Sequence, residues 1–211
     1  MKTKIFNLII LDESGSMESI KKAAVSSVNE TVQTIRAAQR KFEEQEHLVS
    51  LVTFNDEAVK TIFDCVPVME VKELADEQYV PDSCTPLYDA MGHSLNALRR
   101  KVAADDRVLV TIVTDGMENS SKEYSGQAIK ALVDELKTKD WVFAYIGANH
   151  DVEQAAAAIS IHNTLSFEAS DSGIASMSKQ VAESRTVFYC CASEASFDPK
   201  TANEHFFDDV F

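Results

Sequence analysis

The chain has 211 residues, 45% of them hydrophobic and 26% charged. That length suits one α/β domain with a substantial core and is a poor fit to two. The formal net charge of −14 argues against nucleic acid and anionic membrane as partners, because both demand basic patches.

The first element is the one the rest is organised around. Ile5 to Leu11 is apolar apart from Asn7 and has the length of a strand buried on both faces. It ends abruptly in Asp12-Glu13-Ser14-Gly15-Ser16. In open α/β sheets, sites form at the carboxyl ends of strands. Asp12, Ser14 and Ser16 alternate, so a turn with Gly15 as its bend can gather three oxygens on one side. Oxygen ligands suit a hard cation such as magnesium rather than zinc or copper. On this stretch alone the alternative stands equally: Ser14 or Ser16 caps the following helix.

Apolar residues then recur from Ile20 through Ala24, Val25, Val28, Val32, Ile35 and Phe42, which predicts an amphipathic helix over roughly 17–43. A strand follows at 47–54. Asn55-Asp56 reads as a hairpin turn into an antiparallel edge strand at 58–66. Residues 67–84 show no clear pattern. Thr85 is an expected N-cap and Pro86 an expected first helical residue, with Leu87, Met91, Leu95, Leu98 and Val102 as the buried stripe. Arg107 to Thr114 reads as a central strand, and it too ends in a carboxylate at a turn, Asp115-Gly116. A helix over 125–137, a strand over 141–146, a short helix capped by Asp151, a strand over 163–167 and a helix bearing Ile174, Met177 and Val181 complete the alternation. The pattern predicts a Rossmann-like, doubly wound α/β fold: a mainly parallel sheet with one antiparallel edge strand and helices on both faces. We expect one domain over 1–190. Residues 191–211 form an acidic tail with Phe197, Phe206, Phe207 and Phe211 that packs back on the domain or serves as a docking segment.

The basic start Met1-Lys2-Thr3-Lys4 imitates a signal peptide only weakly, since Asp12 and Glu13 stand where small cleavage-site residues belong. No apolar stretch is long enough to span a membrane. Cys65, Cys84, Cys190 and Cys191 form no CxxC, and adjacent Cys190-Cys191 is awkward to bridge. They read as reduced thiols of a cytoplasmic protein. The five histidines lie in no zinc-ligand spacing.

In a doubly wound sheet the first strands of the two halves lie side by side, so the loops carrying Asp12-x-Ser14-x-Ser16, Thr85 and Asp115 can meet over one crevice. These residues resemble the von Willebrand factor type A family. Its metal-ion-dependent adhesion site uses D-x-S-x-S, a downstream threonine and a T-D-G aspartate; here these are Asp12, Ser14 and Ser16, Thr85 within TPLYDA, and Asp115 within TDG. The resemblance covers about residues 4–190. One departure is that Ser83-Cys84 precede the threonine, where the family often has glycine.

The resemblance implies a non-enzymatic protein-binding module. Asp12, Ser14, Ser16, Thr85 and Asp115 would hold magnesium, with manganese or calcium as alternatives, and a partner's Asp or Glu would replace a metal-bound water. Asp12 and Asp115 supply the negative charge that three neutral hydroxyls lack. The rival reading is a magnesium-dependent phosphotransfer enzyme similar to the haloacid dehalogenases. It wants a second Asp two residues after Asp12, where Ser14 stands. No GxGxxG follows the first strand and no GxxxxGK[ST] occurs, which disfavours nucleotide binding. Glu13, Glu18, Asp89 and Glu118 read as solvent-facing or capping residues, His150-Asp151 as a turn and N-cap, and Cys84 as a small buried residue. A bolder idea concerns the tail, in which Glu204, Asp208, Asp209 or the carboxylate of Phe211 fills the metal's open position.

Overall fold

The computed structural model describes residues 2–194 and 196–208. Six strands form one sheet in the order β3-β2-β1-β4-β5-β6. These are β1 (Thr3–Asp12), β2 (Gln45–Phe54), β3 (Val59–Pro67), β4 (Arg107–Thr114), β5 (Trp141–Gly147) and β6 (Thr164–Ser166). All neighbours pair in parallel except β2 and β3, the short-turn hairpin, which is antiparallel and places β3 at an edge. The predicted fold class is the observed one.

β1 is central, and period-2 geometry sends its side chains alternately to the two faces. Phe6, Leu8 and Ile10 enter a core shared with α2 (Leu87–Leu98), α3 (Gly126–Lys137) and α4 (Val152–Ala158). On the other face Ile9 and Leu11 pack with α1 (Lys21–Lys41) and α5 (Asp171–Cys191). Each such fully buried aliphatic side chain stabilises the fold by roughly 1.5–3 kcal/mol. The polar interruption, Asn7, points to the α5 side. Its Oδ1 accepts from Tyr189 Oη at 2.5 Å and from Arg185 Nη1 at 3.3 Å. Arg185 is fully buried and also donates to Thr111 Oγ1.

Local chemistry sets the helix starts. Ser125 accepts from Ala128 N, and Asp151 from Gln154 N, the latter as the sequence predicts. The helix expected over 17–43 opens as a 3₁₀ segment, Gly15–Ile20, before α1 begins at Lys21. α2 starts at Leu87, with Pro86 as N-cap, and ends at Leu98, leaving Val102 beyond it. After α5 a short helix, α6 (Pro199–His205), lies across the amino-terminal end of the sheet. Asn203 Oδ1 accepts from Phe143 N, its Nδ2 donates to Trp141 O, and Ala202 and Phe206 are buried. The tail residues described here thus pack on the domain, at the opposite end of the sheet from Asp12. Glu204 and Asp208 of the same chain therefore do not reach the crevice; Asp209 and Phe211 lie outside the described residues.

Candidate functional site

β1 pairs with β4 in register up to Leu11 opposite Val113. Their next residues, Asp12 and Thr114, therefore end the two central strands together. Thr114 Oγ1 donates to Asp12 Oδ2 at 2.6 Å, and Asp12 Oδ1 accepts from Ser14 N at 2.8 Å, closing a tight turn. That turn brings Ser14 Oγ within 3.3 Å of Ser16 Oγ, and Ser16 Oγ donates to Asp115 Oδ1 at 2.5 Å. Thr85 joins from the third loop: a Cβ built on Gly116 would lie 3.6 Å from Thr85 Oγ1 and 3.9 Å from Ser16 Oγ. All five residues singled out in the sequence thus line one crevice at the carboxyl edge of the sheet. Asp12, Ser14, Thr85 and Asp115 are buried, while Ser16 is exposed and marks the open side.

The serines and Thr85 are not spent on capping. Ser14 is the N-cap of the 3₁₀ segment but makes no side-chain cap bond, and α2 has no side-chain cap from its N-cap residue. Thr85, expected as a helix cap, is held instead by its backbone: its N–H donates to Asn119 Oδ1 at 2.9 Å, and Asn119 N donates to Thr85 O at 3.1 Å. Glu118 stabilises the first turn of α2 by accepting from Tyr88 N, as well as from Ser120 N and Ser121 N.

The electrostatics are unbalanced. Burial is the main cause that pushes the Asp12 carboxyl up to about 6, against three hydrogen bonds that lower it, and the charge of Asp115 adds to the rise. Burial likewise raises the Asp115 carboxyl. Among the described residues neither carboxylate makes an ion pair, and Asp115 Oδ2 is buried without any hydrogen-bond partner. An orphaned carboxylate oxygen beside a second buried carboxylate and three hydroxyls is a donor set suited to a hard cation. Among the described residues no group of three or more His, Cys, Asp or Glu is placed to hold a metal ion by itself.

Several supporting residues went unnoticed in the sequence. Tyr79 from the unpatterned 67–84 segment donates its hydroxyl to Asp12 O. Glu13, read as solvent-facing or capping, is fully buried; it accepts from Val80 N at 2.7 Å and pairs with Lys60 at 3.1 Å. Nothing in the one-dimensional pattern marks these partners, which are distant in sequence. Cys84 is exposed rather than buried. Gly15 does not use glycine's conformational freedom: no glycine has positive φ, and a methyl there would make ordinary contacts at 3.5 Å or more. The left-handed residue of this loop is Ser83, at φ 64°, whose carbonyl accepts from Gly15 N. His150 and Asp151 form a turn and a cap, as expected.

A family model for the von Willebrand factor type A domain matches residues 8–180, and the chain belongs to that family. Among solved structures, the vWF domain of the type V pili tip protein Mfa5 from Porphyromonas gingivalis gives a TM-score of 0.65 at 9% identity, covering 94% of this chain and 99% of that one. The SpRpn10 VWA domain gives 0.59 at 13% identity, covering 83% and 94%. A von Willebrand factor type A protein from Catenulispora acidiphila gives 0.57 at 13% identity, covering 85% of this chain and 42% of that one. The chain spans less than half the length of that protein and of proximal thread matrix protein 1 from the mussel byssus, of which it covers 45%. At these identities the likeness is one of fold. A search of curated proteins by sequence finds no match. Among the described residues no helix is long and apolar enough to cross a membrane.

Proposed function

We propose that this domain is a divalent-cation-dependent protein-binding module whose metal, magnesium by preference, sits among Asp12, Ser14, Ser16, Thr85 and Asp115. The observation that carries this reading is the buried, partnerless Oδ2 of Asp115 within that ring of oxygens. Ser14, Ser16 and Thr85 would offer neutral oxygens, while Asp12 and Asp115 would offer charge directly or through water. A bound dication with an open position takes a carboxylate oxygen, so an Asp or Glu of a protein partner completes the site. The opening on the Ser16 side gives that carboxylate a way in, and Met117, exposed two residues after Asp115, offers an apolar contact beside it. Ser14 stands where a phosphotransfer enzyme would want its second aspartate, which supports a binding role over catalysis. Four free thiols support a reducing, cytoplasmic setting.

Calorimetric titration of magnesium into chelator-treated protein tests the reading. One site per chain is expected, weakened at least tenfold in Asp115→Asn and lost in Asp12→Ala. Capture of partner proteins should follow the same order and vanish in chelator. Equal magnesium affinity in wild type and Asp12→Ala, with both folded, overturns the metal site. Turnover of a phosphomonoester that disappears in Asp12→Asn transfers the reading to the enzyme.

A further inference from the structure

α2 packs over β1 and β2 on one face of the sheet. Between α2 and the β2–β3 hairpin lies an open cleft of about 510 Å³, within the size range of ligand sites. Its floor is apolar, formed by Leu8, Val52 and Val59. Its rim carries the carboxylates Asp56, Glu57, Asp64, Asp89 and Glu123 against a single lysine, Lys122.

Some of that charge is already engaged. Asp56 pairs with Lys122 at 3.4 Å and Asp64 with Lys101, while Glu123 faces His93 at 3.4 Å. Asp89 accepts the backbone N–H groups of Lys122, Glu123 and Tyr124. Glu57 makes no ion pair among the described residues, and negative charge remains in excess. The second observation is independent of charge. Ser94, 7% exposed, lines the cleft from α2, and its Oγ has no hydrogen-bond partner. Ser120 Oγ, from the loop that follows β4, is equally unpartnered. Two unused acceptors, an apolar floor and an acidic rim fit a long side chain with a cationic head: the methylenes lie on the floor and the N–H groups reach the hydroxyls. The cleft adjoins the crevice, since Pro86 and Ser120 of its wall directly follow Thr85 and Asn119.

We propose that this cleft receives a lysine or arginine side chain of the docking partner, beside the carboxylate that meets the metal crevice. The inference rests on the crevice being the docking point, and its test is chosen to fail separately. N-acetyl-arginine amide is titrated into 15N-labelled protein in chelator, with N-acetyl-glutamine amide as the neutral control. Saturable amide shifts are expected at Ala58, Ser94, Ala97 and Lys122 for the arginine probe alone, weakened at least fivefold in Asp56→Asn/Glu57→Gln, whose positions are exposed. Ser94→Ala should weaken the response as well. The proposal is overturned by equal responses to both probes, by no response, or by shifts that the double variant leaves unchanged. Because the titration contains no metal, a failure of magnesium binding does not alter its outcome.

Discussion

Gly92 sits inside α2, buried under the ring of Tyr124 from the loop that follows β4. In an exposed helix, replacing glycine by alanine stabilises by about 1 kcal/mol. Here the new Cβ would lie 2.5 Å from two ring carbons and 2.6 Å from a third. Ordinary carbon contacts need about 3.5–4.0 Å, so the ring must retreat by roughly 1 Å. It is held in place: Tyr124 N donates to Asp89 Oδ1 at 2.8 Å, its hydroxyl accepts from Asn96 Nδ2 at 3.2 Å, and its ring meets His93 edge-on. Overpacking of this kind costs about 1–3 kcal/mol. Set against the helix gain, Gly92→Ala should be net destabilising by about 1 kcal/mol. The same loop carries Glu118 and Asn119, which fix the first turn of α2 and Thr85; pushing it outward should also weaken the proposed magnesium binding severalfold. Urea unfolding of wild type, Gly92→Ala, Tyr124→Ala and the double variant measures the coupling. In the Tyr124→Ala background the alanine should become stabilising. A Gly92→Ala protein more stable than wild type, or an equal effect in both backgrounds, refutes the reasoning.

Other outcomes follow from buried or strained positions. Burial, with the Arg185 charge adding to it, lowers the His47 imidazole to about 4. The unfolded chain therefore takes up a proton near pH 6.5 that the folded one refuses, and stability contributed by a neutral His47 is lost as pH falls from 6.5 towards 4. That share amounts to roughly 3 kcal/mol at most, and urea melts at pH 7 and 4.5 should show a smaller difference in His47→Gln than in wild type. Ser83 at φ 64° carries a left-handed penalty of about 1–2 kcal/mol, so unfolding midpoints should rank Ser83→Gly above wild type and Ser83→Val below it. Gly15→Ala should change stability by less than about 0.5 kcal/mol, because a methyl there meets only ordinary contacts.

The sheet was legible because its strands are short apolar runs, each bounded by a turn signal. β4 was read to the residue, and the hairpin of β2 and β3 followed from a loop too short for a crossover. Asp12 and Asp115 were legible for the same reason, since each follows an apolar strand at a polar turn, whereas Ser14, Ser16 and Thr85 stood out through the D-x-S-x-S alternation and the threonine of the family pattern. What escaped were interactions closed across long sequence distances. Burial of Glu13 depends on Lys60 and Val80, and the placement of Thr85 depends on Asn119 rather than on helix capping. The 67–84 segment has no period to read because its two 3₁₀ turns, Val68–Glu70 and Asp76–Gln78, are anchored by single residues such as Tyr79. α6 was missed because one buried face of seven residues is too short to declare a periodicity.

That last helix has a consequence for how the chain is made. Synthesis delivers β5 about sixty residues before the side chain that completes it: Asn203 bonds Trp141 and Phe143 across sequence separations of 62 and 60. Asn163, whose Nδ2 already donates to Phe143 O, waits for Ala202 and Phe206 to complete its amide partners. Until residue 206 has left the ribosome, the amino-terminal end of β5 keeps backbone groups with no protein partner and an open apolar seat where Phe206 belongs. The crevice at the other end of the sheet needs nothing beyond Asn119 for its own bonds. A nascent chain stalled after α5 would therefore present an assembled crevice on a body still unsealed at its base. Its base would at the same time be exposed to chaperones and proteases.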